Sequence, residues 1–175
     1  MRIGIDIDDT ITNSHDYVVS LKKKYLPQYN PNEMLPDAIF QKFIHKYDAK
    51  IHKYAPLKEG VVEALTYLKD HGHTIYIMSA RGNYSKKAYE DSLNYLSRHN
   101  IPYDKLMCNL GDKIDAVKNE KIDIFIDDNI RICDKLKDNG VNVIKMKRHD
   151  DEENNHLVCA NWEEIIKCIK ENFNG

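Results

Sequence analysis

Short apolar runs alternate along this chain with stretches in which apolar residues return every three or four positions. The first run, residues 2 to 7, is largely β-branched and predicts a buried strand. A helical stretch begins near Asn13 or Ser14, with Tyr17, Val18, Leu21 and Tyr25 on one face and Lys22 to Lys24 turned outward. Pro27, Pro31 and Pro36 break the chain after it. A second helical pattern carries Ile39, Phe40, Phe43, Ile44, Tyr47 and Ile51. Residues 14 to 55 therefore read as a small, tyrosine-rich helical insertion behind the first strand. Its aromatics suit packing between its own helices. One or two of Tyr17, Phe43 and Tyr47 are candidates to line a pocket and stack on a substrate ring.

The rest of the chain alternates strand and helix. Pro56 sits near the first turn of a helix with Val61, Ala64, Leu65 and Leu68 on its face, closed by His71-Gly72. Residues 73 to 78 predict a second strand ending on Ser79-Ala80-Arg81-Gly82. Ser85 is placed to cap the next helix, whose face is read as Tyr89, Leu93 and Leu96. A turn at Asn100 to Pro102 leads to a short third strand, Lys105 to Cys108. Asp112 opens a short helix with Ile114 and Val117. Ile122 to Ile126 form a fourth strand running into Asp127-Asp128. A helix with Ile132, Cys133 and Leu136 stops at Asn139-Gly140. Val141 to Ile144 make a fifth strand, residues 147 to 157 a polar loop, and Trp162, Ile165, Ile166, Ile169 and Phe173 the stripe of a last helix. This order predicts the α/β class: a mainly parallel sheet covered on both faces.

Composition narrows the function. At 175 residues the chain fits one domain with a small insertion, and 42% hydrophobic with 31% charged residues describes a globular protein. A formal charge of -2 argues against a nucleic-acid polymer as partner. Cys108, Cys133, Cys159 and Cys168 form no CxxC pair and read as reduced thiols of a cytoplasmic protein. Met1-Arg2 runs straight into the first strand, so no signal peptide is expected. No membrane contact is expected either, since no apolar run approaches the ~18 residues of a span.

The chemistry concentrates at strand ends. Asp6, Asp8 and Asp9 follow the first strand, Ser79 and Arg81 the second, and Asp127 and Asp128 the fourth. In a parallel sheet these ends share one edge, where ligands bind. Clustered carboxylates need a cation, and hard oxygen donors suit Mg²⁺. Asp6 is placed to attack phosphorus. Asp8, two residues on, is placed to protonate a leaving oxygen and then activate water. Asp127 and Asp128 would complete the metal shell, while the Ser79 hydroxyl and a lysine would hold phosphate. Arg81 is suited to bind a phosphate or a carboxylate through two parallel bonds, or equally to form a structural ion pair. Asp9 either tunes the metal or turns outward to cap the following turn.

In this order the residues resemble the haloacid dehalogenase-like phosphatases. Asp6, Asp8 and Thr10 match that superfamily's opening Asp-x-Asp-x-Thr, Ser79 its second motif, and Asp127-Asp128 its acidic pair. The resemblance spans essentially the whole chain. IGIDIDDTIT, the short insertion and FIDDN liken it further to the small bacterial nucleotidases grouped with the 5'(3')-deoxyribonucleotidases. It implies a Rossmann-like three-layer αβα core, residues 1 to 13 and 56 to 175, with residues 14 to 55 as a helical cap. It implies Asp6 as nucleophile and Mg²⁺ ligand, Asp8 as acid/base that lends the metal its carbonyl, and Asp127 and Asp128 as further ligands with Asp128 direct. Thr10, Ser79 and the motif lysine fall on the substrate side. Lys113 is preferred for that lysine over Lys105 and Lys118. The implied activity is hydrolysis of a small phosphorylated metabolite, first a nucleoside monophosphate and next a sugar phosphate. A receiver-like phospho-accepting module is the reading from another class.

Overall fold

The structure, a computed structural model, describes residues 1–82, 87–148, 151 and 153–173. In chain order the elements are β1 (Arg2–Ile5), α1 (Ser14–Tyr25), α2 (Asp37–Tyr54), α3 (Val61–Asp70), β2 (Thr74–Met78), α4 (Ala88–Arg98), β3 (Lys105–Met107), α5 (Ile114–Asn119), β4 (Ile124–Asp127), α6 (Ile130–Asp138), β5 (Asn142–Met146), β6 (Leu157–Cys159) and α7 (Trp162–Asn172). Every strand pairing is parallel, in the order β3-β2-β1-β4-β5-β6. Strand β1 is central, with Ile3 opposite Ile75 of β2 and Ile124 of β4. The chain moves to one side of β1 through β2 and β3, then to the other through β4. The carboxyl ends of β1 and β4 thus flank the point where the order reverses, and a crevice opens there.

Apolar side chains leave both faces of the sheet. On one, Ile3, Ile5, Ile75, Ile77 and Ile126 pack with Leu65, Leu68, Tyr95, Trp162 and Ile165. On the other, Tyr76, Met78 and Phe125 pack with Val117, Cys133 and Leu136. Gly4 lets the Phe125 ring lie against β1: a Cβ at Gly4 would come 2.4 Å from its Cδ2. The insertion carries a cluster of its own, Leu21, Leu35, Phe43 and Ile51. It leaves the core through paired backbone segments. The amide of Asn13 donates to the Pro56 carbonyl and that of Lys58 to the Ile11 carbonyl, with Thr12 bridging Leu57.

Several elements differ from the sequence pattern for physical reasons. Strand β6 starts at Leu157, the last residue of the stretch read as loop; Leu157 and Val158 are exposed, so this edge strand shows no buried run. Helix α4 buries Ala88, Asp91, Ser92, Tyr95 and Leu96, whereas Tyr89 and Leu93 lie outside. Its inward stripe contains two polar residues, which hid its phase. Pro56 stands ahead of α3, which starts at Val61 after Gly60 in the left-handed region at φ 76°. Lys22 is buried and donates to the Glu33 carbonyl at 2.7 Å. The expected Ser85 cap, and His149 of the polar loop, lie outside the described residues.

Candidate active site

A tight turn follows β1. The amide of Asp6 donates to the Ile126 carbonyl of β4, and those of Thr10, Ile11 and Thr12 all donate to the Ile7 carbonyl. Asp9 takes φ 59°, a left-handed conformation that aspartate tolerates better than most residues. Its carboxylate accepts the His15 amide at 2.7 Å and so caps the start of α1. The turn leaves Asp6 facing the ends of β4 and α5. Lys113 stands at the head of α5 with φ 65°. Its Nζ lies 2.5 Å from Asp6 Oδ1 and 2.7 Å from Asp127 Oδ2, and the group is buried.

Asp127 ends β4 and its Oδ1 accepts the Asn129 amide at 2.9 Å. The Thr10 hydroxyl donates to Asp128 Oδ1 at 3.4 Å, and Arg148 Nη1 lies 3.3 Å from Asp128 Oδ2. Ser79 follows β2, and its hydroxyl accepts the Arg81 amide at 3.2 Å. A cleft of about 320 Å³ is lined by Asp6, Asp8, Asp9, Ser79, Arg81, Lys113, Asp127, Asp128 and Arg148 among others. A larger, more apolar hollow between α3 and α7 holds none of the expected site residues. The expected site residues therefore gather around the smaller cleft.

Charge is unbalanced there. Oxygens of Asp6, Asp127 and Asp128 lie within 4.8 Å of one another, and all three residues are buried. Burial pushes the Asp6 carboxyl well above its ordinary range; Lys113 opposes this, while Asp127, Asp128 and Asp8 add to it. Burial, reinforced by Asp127 and Asp9, pushes Asp128 up to about 7. The Lys113 ammonium, pressed down by burial, is held above its ordinary range by Asp6 and Asp127. Three converging carboxylates with one ammonium between two of them fit a hard divalent cation, since every donor is oxygen.

Chains of similar sequence and of similar fold occur among known proteins. No protein-family model matches the chain. It is 28% identical to "Putative nucleotidase YqfW" of Bacillus subtilis, over 98% of this chain and 95% of that one. It is 25% identical to "Nucleotidase CA_C3379" of Clostridium acetobutylicum, over 99% and 95%. A haloacid dehalogenase-like hydrolase from Bacteroides fragilis superposes with a TM-score of 0.65 at 14% identity, covering 94% of this chain and 98% of that one. The fold is that of the haloacid dehalogenase-like hydrolases. The chain resembles the phosphatases of that superfamily and, over nearly its whole length, proteins named nucleotidases.

On this haloacid dehalogenase-like frame, Asp6, Asp8, Ser79, Lys113, Asp127 and Asp128 converge. Lys105 and Lys118 do not join them: they pair with Glu120 and with Asn139. Two residues expected on the substrate side have partners within the protein. Thr10 is fully buried, donates to Asp128 and accepts the Trp162 indole through its carbonyl, so it braces an acid rather than facing the cleft. Arg81 is engaged by Asp8 through Nε to Oδ2 at 2.8 Å and Nη2 to Oδ1 at 2.7 Å. Burial raises the Asp8 carboxyl, but the Arg81 charge and hydrogen bonds, with one from Ser14, outweigh it and hold it below the usual range.

Among the aromatics of α1 and α2, Phe43 belongs to a buried cluster with Leu21, Leu35 and Ile51, and Tyr47 stacks on Tyr25 at 4.8 Å. Neither they nor Tyr17 line the cleft. Arg148 was missed by sequence reasoning because it lies in a polar stretch without periodicity. No described helix is long and apolar enough to cross a membrane.

Proposed function

We propose that this protein is a Mg²⁺-dependent phosphomonoesterase that works through an aspartyl-phosphate on Asp6 and takes nucleoside monophosphates. The observation that supports this most is the seating of Asp6. It stands at the sheet's reversal point, beside Lys113, with two further acids within reach and Asp8 two residues on. Similarity to curated nucleotidases at both chain lengths supports the substrate class.

In the first step a carboxylate oxygen of Asp6 bonds to phosphorus while the ester P–O bond breaks. The Arg81 pair keeps Asp8 ionised in the free protein, so the proton that Asp8 passes to the leaving oxygen is taken up with the substrate's phosphate. In the second, water attacks phosphorus, Asp8 accepts its proton, and Asp6 departs as carboxylate with release of inorganic phosphate. Ser79 and Lys113 hold the phosphoryl oxygens. Asp6, Asp127, Asp128 and the Asp8 carbonyl would hold Mg²⁺, which supplies positive charge against the phosphoryl oxygens.

The test is phosphate release from a panel of 5'- and 3'-nucleotides and sugar phosphates, with Mg²⁺ and with EDTA. Metal-dependent release concentrated on nucleotides is expected. Release spread evenly over sugar phosphates would overturn the substrate class, and release unaffected by EDTA would overturn the metal.

A further inference from the structure

Arg81 belongs to no general part of the phosphatase motif set, yet it is among the most fully engaged side chains of the site. Its side chain is 1% exposed. Nε and Nη2 hold the two oxygens of Asp8 in a fork, a geometry that fixes a carboxylate in both position and plane. The remaining nitrogen, Nη1, donates to the Ser92 hydroxyl of α4 at 3.2 Å and lies 3.5 Å from the His52 carbonyl in the last turn of α2. Ser92 is fully buried and occupies the inward stripe of α4, where a helix ordinarily places an apolar residue.

The surroundings are polar as well. His52 Nε2 pairs with Asp48 at 3.2 Å, and Lys53 with Asp91 at 3.3 Å, so α2 and α4 meet through ionisable groups next to Arg81. Asp48 Oδ2, His52 Nδ1 and Asp91 Oδ2 are buried there without a hydrogen-bond partner among the described residues. An interface that only had to join insertion to core would be more stable with apolar contacts. This one keeps a guanidinium whose far end is seated by both helices and whose near end aims Asp8.

We infer that Arg81 is a positioning residue: seated by Ser92 and the end of α2, it orients the Asp8 carboxylate to accept the proton of the water that hydrolyses the phosphorylated Asp6. This rests on the phosphatase reading above. The balance of the step is simple. The water oxygen bonds to phosphorus, its proton goes to an Asp8 oxygen, the bond from phosphorus to Asp6 breaks, and phosphate leaves. Formation of the phosphoenzyme from p-nitrophenyl phosphate needs no proton donor, because nitrophenolate is a good leaving group. Loss of Arg81 therefore slows the second step selectively.

The experiment is rapid mixing of p-nitrophenyl phosphate and Mg²⁺ with the wild type, Arg81→Gln, Arg81→Lys and Ser92→Ala, followed by intact-mass measurement after acid quench. Wild type is expected to turn over without a marked burst. Arg81→Gln is expected to release close to one nitrophenolate per molecule and then slow about 100-fold, with a phosphorylated chain in the quenched sample. Arg81→Lys keeps one donor and is expected to fall less, and Ser92→Ala to lose about 3-fold in the same sense. Equal slowing of the burst and the steady phase, or a folded Arg81→Lys and Ser92→Ala with no change in either, would overturn the inference and leave a plain structural ion pair. A wild type that releases no nitrophenolate would overturn the phosphatase reading itself, and this inference with it.

Discussion

Replacing Asp128 with Asn should stabilise the protein in EDTA while removing its response to Mg²⁺. Asp128 faces Asp127 and Asp9, and burial with their charges lifts its carboxyl from 3.8 to about 7. The folded chain therefore keeps a proton that the unfolded chain gives up. Between about pH 4 and pH 7 the folded state binds more protons, so metal-free stability falls as pH rises through that window and stays low above it. At pH 8 the ionised carboxylate costs at most about 4 kcal/mol relative to the unfolded chain. The amide keeps an acceptor for the Thr10 hydroxyl but loses the Arg148 ion pair. A net gain of about 2 kcal/mol remains, or a Tm rise of about 4–8 °C for a chain of this size. Mg²⁺ at one hundred times its Kd should add about 2.7 kcal/mol to the wild type and much less to Asp128→Asn. The assay is a pair of thermal melts at pH 8, with EDTA and with Mg²⁺. A lower Tm for Asp128→Asn in EDTA, with the wild-type gain on adding Mg²⁺, would refute the reasoning, because Asp128 would then be neither strained nor a ligand.

Lys113→Met should remove the cation between Asp6 and Asp127 and leave two buried acids unpaired; a loss of about 3–5 kcal/mol in urea unfolding at pH 8 is expected. Gly4→Ala should force the Phe125 ring out of contact with β1 and cost about 1–3 kcal/mol by the same measurement, without altering the acids of the site. Phe43→Ala should destabilise the insertion by about 3–5 kcal/mol and lower activity on nucleotides and sugar phosphates alike, because its ring is buried among Leu21, Leu35 and Ile51. A selective loss on nucleotides would instead place Phe43 in the substrate pocket.

Much of the frame could be read from residues alone, because strands β1, β2 and β4 are buried over most of their length and appear as short, mainly apolar runs. The acids that follow β1 and β4, and Ser79 after β2, are adjacent in sequence to those runs, so strand order brings them together without further information. What was hidden has a common cause: polar residues doing interior work. Asp91 and Ser92 disguise the inward face of α4 because they meet Lys53 and Arg81. Lys22, read as solvent-facing, is turned inward by the Glu33 carbonyl. Thr10 and Arg81 carry the residue types that bind phosphate, yet long-range contacts with Asp128 and Asp8 occupy them, and no local pattern records such partners. The edge strand β6 is too short and too exposed to show a period.

The central claim is that Asp6 attacks phosphorus. The most direct measurement compares Mg²⁺-dependent phosphate release by wild type and Asp6→Asn on a nucleoside monophosphate, with thermal melts to show that both are folded. The account predicts release by the wild type and its abolition in Asp6→Asn. Release that continues undiminished in a folded Asp6→Asn would contradict it, since Asp6 would then not be the group that takes the phosphoryl.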